Sequence, residues 1–132
     1  MPDNGSAVLR RFHESWTEGD LPTVVDLVDP EVIVHPLHGV LFSRMEFRGH
    51  DGIAECYREM TEPWDRFETL VERAADTPDG AQGVLTVVGY RGDEGFHARV
   101  GVDMEMAGGR IVSLHARNVT DVEDELDAAD RG

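Results

Sequence analysis

The sequence contains no lysine: all 12 of its basic residues are arginine, against 27 acidic residues, and the net charge is −15. A protein that binds nucleic acid through its phosphates needs a basic surface, and an anionic membrane attracts basic segments. We therefore expect neither nucleic acid nor a membrane as a partner. A salt-adapted or arginine-biased proteome explains such a composition more simply than a function does.

Long apolar runs and paired cysteines are also missing. No segment approaches the roughly 18 consecutive apolar residues of a transmembrane helix, and the start of the chain, MPDNGSAVLRRF, lacks the parts of a signal peptide. We therefore expect a soluble, cytoplasmic protein. The single cysteine, Cys56, cannot form an internal disulfide bond and falls at an apolar position of a predicted helix, which favours a buried thiol.

The 132 residues are the length of one ordinary domain. Periodicity and capping residues predict a helix over 5–18, a second one from Asp20 to Val28, and a third in HDGIAECYREMTEPW, capped near Asp51. A loop with some extended character is predicted over 37–51, and an acidic tail or short helix over 121–132. The predicted strands cover 31–35, 66–76, 81–91, 96–106 and 110–119, the last two joined by a turn at Gly108-Gly109.

Helices grouped at the start and strands grouped at the end predict an α+β domain. We expect a cone-shaped, cystatin-like roll in which the N-terminal helices pack on a curved antiparallel sheet. Such a sheet around a long first helix leaves a conical cavity, and cavities of this kind are common small-molecule sites.

Three stretches resemble the nuclear transport factor 2-like superfamily, in its SnoaL-like and ketosteroid-isomerase-like branch. They are VLRRFHESWTEGDLPTVVDLVDPEVIVHP, FRGHDGIAECYREM and VDMEMAGGRIVSLHARN, and the resemblance covers residues 6–120 of a single domain over 1–132. It implies a conical pocket between sheet and helices, and a homodimer formed across the outer face of the sheet. It does not define a reaction, because this fold carries isomerases, cyclases, hydrolases, dehydratases and proteins that are not enzymes.

The strand over 96–106 contains the first candidate catalytic residue, Asp103. Its apolar positions would meet the helices or a partner subunit, whereas the resemblance directs Asp103, with Gly101 and Arg99, into the cone. A shift of one residue reverses this assignment. In ketosteroid isomerases, which the chain resembles here, an apolar site keeps an aspartic acid protonated so that it donates a hydrogen bond. The alternative is a salt bridge of Asp103 with Arg99 or Arg117, or plain exposure to solvent.

His35 is the second candidate, directly before Pro36. With a gap of one residue it matches the position where ketosteroid isomerases carry their general-base aspartate, and an imidazole transfers protons near neutral pH. A strand-end histidine bonded to a loop carbonyl is the alternative. Phe12 stands where those isomerases have a tyrosine, so the known steroid isomerisation is not expected. The arginine and aspartate that limonene-epoxide-hydrolase-like proteins place two residues apart are absent, because Gly101 follows Arg99 at that distance.

The remaining candidates are residues that could contact a ligand. We expect Phe12, Trp16, Tyr57, Trp64 and Arg99 to line the pocket, although aromatic residues at helical spacing usually belong to the core. His35 and His38 form a pair without a clear third ligand, so no metal site and no cofactor is predicted.

Two hypotheses remain open from the sequence. In the first, the protein binds a small, largely apolar molecule and transfers a proton on it without a cofactor, with His35 as base and Asp103 as acid, as an isomerase, cyclase or lyase. In the second, the same fold serves as a non-catalytic module for ligand binding or dimerisation.

Overall fold

The computed structural model describes residues 4–36 and 46–131, so most of the loop predicted over 37–51, including His38, lies outside the described residues. The described residues form four helices, and the first three lie in the N-terminal half of the chain. They are α1 (Gly5–Glu18), α2 (Leu21–Leu27), α3 (Gly49–Thr61) and α4 (Val119–Arg131). Within these residues no helix is long and apolar enough to cross a membrane.

In the part of the chain that the structure describes, six strands form one curved, unclosed sheet in the order β2-β1-β6-β5-β4-β3. All neighbours are antiparallel except β1 and β6, which are parallel. The strands are β1 (Val28–His35), β2 (Phe47–Arg48), β3 (Arg66–Thr77), β4 (Gly80–Arg91), β5 (Glu94–Ala107) and β6 (Arg110–Arg117). The predicted α+β class, with helices first and a meander of strands after them, is confirmed.

The hairpin between β5 and β6 fixes the register of the strands that form much of the site. Gly108 and Gly109 have φ angles of 61° and 81°, a left-handed conformation that a two-residue hairpin turn requires at both central positions. The pair therefore closes the hairpin where the sequence predicted it, and a shift in register between Glu105 and Met106 then places Asp103 opposite His115.

The first strand begins earlier than predicted. β1 starts at Val28 and contains Pro30, whereas the sequence predicted a strand over 31–35 with Asp29-Pro30 outside it. Proline has no N–H for a ladder and is tolerated where pairing is interrupted. The pairing of β1 with β6 does shift in register between Val28 and Ile33, so the proline lies in an irregular part of the strand.

Both faces of the sheet are covered, each by different helices. One face, which we call the inner face, packs against α1 and α3 and holds the main core, with Leu9, Ile53 and Met104 almost fully buried. The other, the outer face, carries α4, whose Val122 and Leu126 pack with Val84 in a second small core. A side chain of β5 that points away from the inner face therefore meets a helix over part of the strand.

Candidate functional site

A cavity of about 100 Å³ lies between the sheet and the helices α1 and α3. Counted with its part open to solvent, the free space is about 700 Å³. Most of its lining is apolar, with walls that include Trp16, Ile53, Leu85, Val87, Val100 and Val102. Among the described residues that line it there is no aspartate, glutamate, lysine or arginine. The site is therefore suited to an uncharged molecule.

Two of the predicted ligand-binding residues, Phe12 and Trp16, do line this cavity. They lie one turn apart on α1, their ring centroids are 5.4 Å apart, and both are almost fully buried. The indole Nε1 of Trp16 points to the sulfur of Met60, 3.2 Å away, which ties α1 to α3 at the cavity wall. Met60 is a flexible side chain, so this wall can adapt to a ligand more easily than the sheet can.

Tyr57 and Trp64 contact other parts of the core and are not among the residues that line the cavity. Tyr57 packs edge-on against Trp16, with 5.2 Å between the ring centroids. Trp64 stacks on Phe96 at 5.5 Å. Tyr57 thus contacts a lining residue, Trp16, without lining the cavity itself, and Trp64 stacks on a residue that does not line it.

Asp103 lies on the outer face, so its predicted orientation into the cone is wrong. Val100 and Val102 of the same strand line the cavity, and alternation along β5 turns Asp103 the other way. Its carboxylate accepts hydrogen bonds from Arg117 Nη1 at 3.0 Å and from Gln82 Nε2 at 3.2 Å. The salt bridge with Arg117, the alternative left open by the sequence, is what the structure shows.

Arg99 is also directed away from the cavity, and it helps to attach α4. Its guanidinium contacts Glu72 of β3 at 2.9 Å and Glu123 of α4 at 3.2 Å. Arg117 forms a similar bridge to Glu125 of α4, at 2.7 Å. These hydrogen bonds lower the pKa of the Glu72 and Glu125 carboxyls. The charged residues of this face therefore hold a helix on the sheet.

His35 borders the cavity at the end of β1, but its imidazole belongs to the outer face. It lies opposite His115 in the parallel pairing, with 5.1 Å between the ring centroids, and Nε2 is 3.8 Å from a Glu46 carboxylate oxygen. The side chain is 41% exposed. His35 and Asp103 flank His115 from opposite sides on the outer face, so they do not face each other across a cavity.

His13, which is not among the site residues predicted from the sequence, is the one titratable side chain of α1 that the structure buries in the cavity wall. The residue is 8% exposed and lines the cavity. Its Nδ1 lies 3.2 Å from the hydroxyl oxygen of Thr69, while Nε2 is buried with no hydrogen-bond partner among the described residues. Burial lowers the pKa of His13 from 6.5 to about 4, so the ring is neutral at pH 7.

A signal for His13 does exist in the sequence. The i, i+3, i+4, i+7 spacing of one helix face is followed by Leu9, Phe12, His13 and Trp16, so the histidine falls within the apolar stripe.

A metal site has no support in the described part of the structure. Within 4–36 and 46–131, no group of three or more histidine, cysteine, aspartate or glutamate side chains could hold a metal ion.

A family model described as a SnoaL-like domain matches residues 9–114. The chain belongs to the SnoaL-like family. This places it in the nuclear transport factor 2-like superfamily that the sequence resembles. No match to this SnoaL-like chain is found among the curated proteins.

Solved structures of the same fold agree with this membership. Bal32a, from a soil-derived mobile gene cassette, is 18% identical with a TM-score of 0.73, covering 86% of this chain and 87% of its own. RV0760c from Mycobacterium tuberculosis, solved in complex with estradiol-17beta-hemisuccinate, is 12% identical with a TM-score of 0.73, covering 91% and 98%. An LEH-like epoxide hydrolase from M. tuberculosis is 20% identical with a TM-score of 0.68, covering 91% and 86%. At these identities the likeness establishes the fold.

Proposed function

We propose that this SnoaL-like chain binds a small, largely apolar, uncharged molecule in the cavity between α1, α3 and the sheet. The observation that carries the proposal is the lining itself, which combines apolar walls with a lack of charged side chains among the described residues. Concave apolar sites with few polar groups are the usual form of small-molecule sites. A structural neighbour of the same fold was solved with a steroid derivative bound, which supports this kind of use.

The volume of the cavity limits the size of the ligand that can bind in it. An engineered apolar cavity of about 150 Å³ holds benzene, so a cavity of about 100 Å³ matches a ligand part no larger than one ring. A longer molecule can extend into the part that is open to solvent. We therefore expect a single ring or a short branched chain within the cavity.

Proton transfer by His35 and Asp103 is not part of the proposed function. The mechanism requires both groups beside the same ligand, and Asp103 lies on the outer face in a salt bridge with Arg117. Its carboxylate accepts hydrogen bonds from Arg117 and Gln82 and is not among the residues that line the apolar cavity. Ligand binding without an assigned reaction is the function that the cavity supports.

A homodimer stays a prediction from the family resemblance. α4 covers part of the outer face, where Val122 packs with Val84. A partner subunit would therefore pack on another part of the sheet. Leu70, which is 50% exposed, and Tyr90, which is 47% exposed, lie on β3 and β4 and would suit such a contact.

Binding of toluene tests the proposed function. We expect saturable binding to the wild type and, at a toluene concentration of 100 times Kd, a stabilisation of about 2.7 kcal/mol that appears as a higher melting temperature. Val87→Phe fills the cavity and should abolish this shift. Val88→Phe is the matched control, because the neighbouring position of β4 is not among the residues that line the cavity. Equal shifts in both variants, or no binding to the wild type, would contradict the proposal.

Asp103→Asn should leave this binding unchanged. The substitution weakens a half-exposed salt bridge with Arg117, so the free energy of unfolding should fall by at most about 1 kcal/mol. The toluene Kd should stay within twofold of wild type, measured by calorimetry beside urea denaturation. A clear loss of toluene affinity in a variant of normal stability would contradict this prediction and show that Asp103 takes part in binding.

A further inference from the structure

We propose that His13 recognises the ligand through its Nε2, and that the ligand is a neutral, ring-sized hydroxy compound of the phenol type. This rests on the proposed function and adds the polar group that orients the molecule. It concerns a residue for which neither the family resemblance nor the candidate catalytic pair provides a role.

The first support is an unsatisfied atom on a residue of the cavity wall. Buried polar groups in folded proteins nearly always have a hydrogen-bond partner, and an orphan calls for an explanation. Nε2 of His13 is buried without one among the described residues, on a side chain that lines a mostly apolar cavity. A ligand that brings a polar atom to this position would satisfy it.

The second support is that the ring is held in place. Nδ1 of His13 pairs with the Thr69 hydroxyl at 3.2 Å, and the Thr17 hydroxyl contacts both the hydroxyl and the backbone of Thr69. Phe12 packs edge-on against the imidazole, with 5.1 Å between the centroids. The position of Nε2 is thus set before a ligand arrives, which lowers the ordering cost of binding.

The chemistry of a hydroxyl group fits this nitrogen best. A neutral imidazole has one donor and one acceptor nitrogen, and the Thr69 hydroxyl can pair with Nδ1 in either sense. A ligand hydroxyl donates to Nε2 in one tautomer and accepts from it in the other, whereas a carbonyl suits only one. A carboxylate is disfavoured, because a neutral ring offers no positive charge and no arginine or lysine is found among the described lining residues.

His13 also borders a second crevice, which offers a competing explanation for the unpartnered Nε2. This crevice of about 230 Å³ lies between α1 and β3 and is lined by Arg10, Glu14 and Val71 among others. A water molecule held there could satisfy Nε2 and leave the apolar cavity without a polar anchor. The two explanations differ in whether a ligand hydroxyl perturbs the imidazole.

Phenol, toluene and benzoate are the probes, titrated into the wild-type chain, His13→Leu and His13→Gln. We expect phenol to bind wild type at least tenfold more tightly than His13→Leu, with toluene binding both within threefold. Benzoate should bind none of them measurably. His13→Gln, which keeps a polar amide, should recover part of the affinity for phenol.

A readout on the wild type alone keeps the test independent of how the variants fold. In NMR spectra of ¹⁵N-labelled protein, phenol should shift the Nε2 resonance of His13 and toluene should not. Two results would overturn the inference and favour a water in the crevice. One is equal phenol affinity in wild type and His13→Leu, and the other is an Nε2 resonance that does not shift when phenol is added. If toluene still binds in that case, the proposed function stands. If neither probe binds wild type, the proposed function itself fails.

Discussion

Between pH 7 and pH 4, the wild type is expected to lose about 3 kcal/mol more of its free energy of unfolding than a His13→Gln variant does. The cause is the burial of His13, which lowers the pKa of the imidazole from 6.5 to about 4. Each unit of difference in pKa between the folded and unfolded states corresponds to about 1.4 kcal/mol.

The stability falls at low pH because the unfolded state binds the proton more readily than the folded state does. Above pH 6.5 the imidazole is neutral in both states, so His13 contributes no pH dependence. As the pH falls from 6.5 towards 4, the His13 imidazole is protonated in the unfolded chain but stays neutral in the folded chain, so the free energy of unfolding decreases. Below about pH 4 the folded state is protonated as well, and the loss levels off.

Urea denaturation at several pH values between 7 and 4 measures this difference. The many carboxylates also titrate in this range, but they are common to both proteins and cancel in the comparison. His97→Gln is the matched control, because it makes the same substitution at a histidine of β5 that is exposed rather than buried. Parallel curves for wild type and His13→Gln would show that the imidazole is solvated in the folded state.

Much of the fold could be predicted from the sequence because its signals are local. Apolar positions at helical spacing defined α1, and the Gly108-Gly109 pair, which both adopt positive φ, defined the last hairpin. The grouping of helices before strands then indicated an α+β domain. These features depend on neighbours a few residues away, which a single sequence displays directly.

The site could be predicted only in part because its decisive contacts are long-range. The apolar set of β5, including Val100 and Val102, is the one that faces the cavity, whereas the family resemblance pointed Asp103 inwards. The partners that settle the matter are Arg117 on the next strand and α4 beyond it, which packs over Gly101 through Val122. Nothing in the local pattern shows that both faces of this strand are covered.

Gly5→Ala should destabilise the protein by about 3 kcal/mol, although alanine is the better helix former by about 1 kcal/mol. Gly5 begins α1, and a Cβ on this residue would overlap the carbonyl oxygen of Gly80 at the start of β4. Because that oxygen belongs to the backbone, the clash can be relieved only by moving the helix away from the sheet. Helix propensity alone thus predicts that Gly5→Ala stabilises the protein, whereas the clash with Gly80 predicts that it destabilises it.

Gly95→Ala is the matched control, since the nearest atom to its Cβ would be Tyr90 Cδ1 at 3.6 Å, an ordinary contact. Urea denaturation of both variants gives the comparison, and toluene binding gives a second readout. α1 carries Phe12, His13 and Trp16 into the cavity wall, so a displaced helix should weaken binding as well as stability. A Gly5→Ala variant as stable as wild type would mean that α1 can shift along the sheet without cost. In that case the helix would not hold His13 rigidly enough to position a ligand.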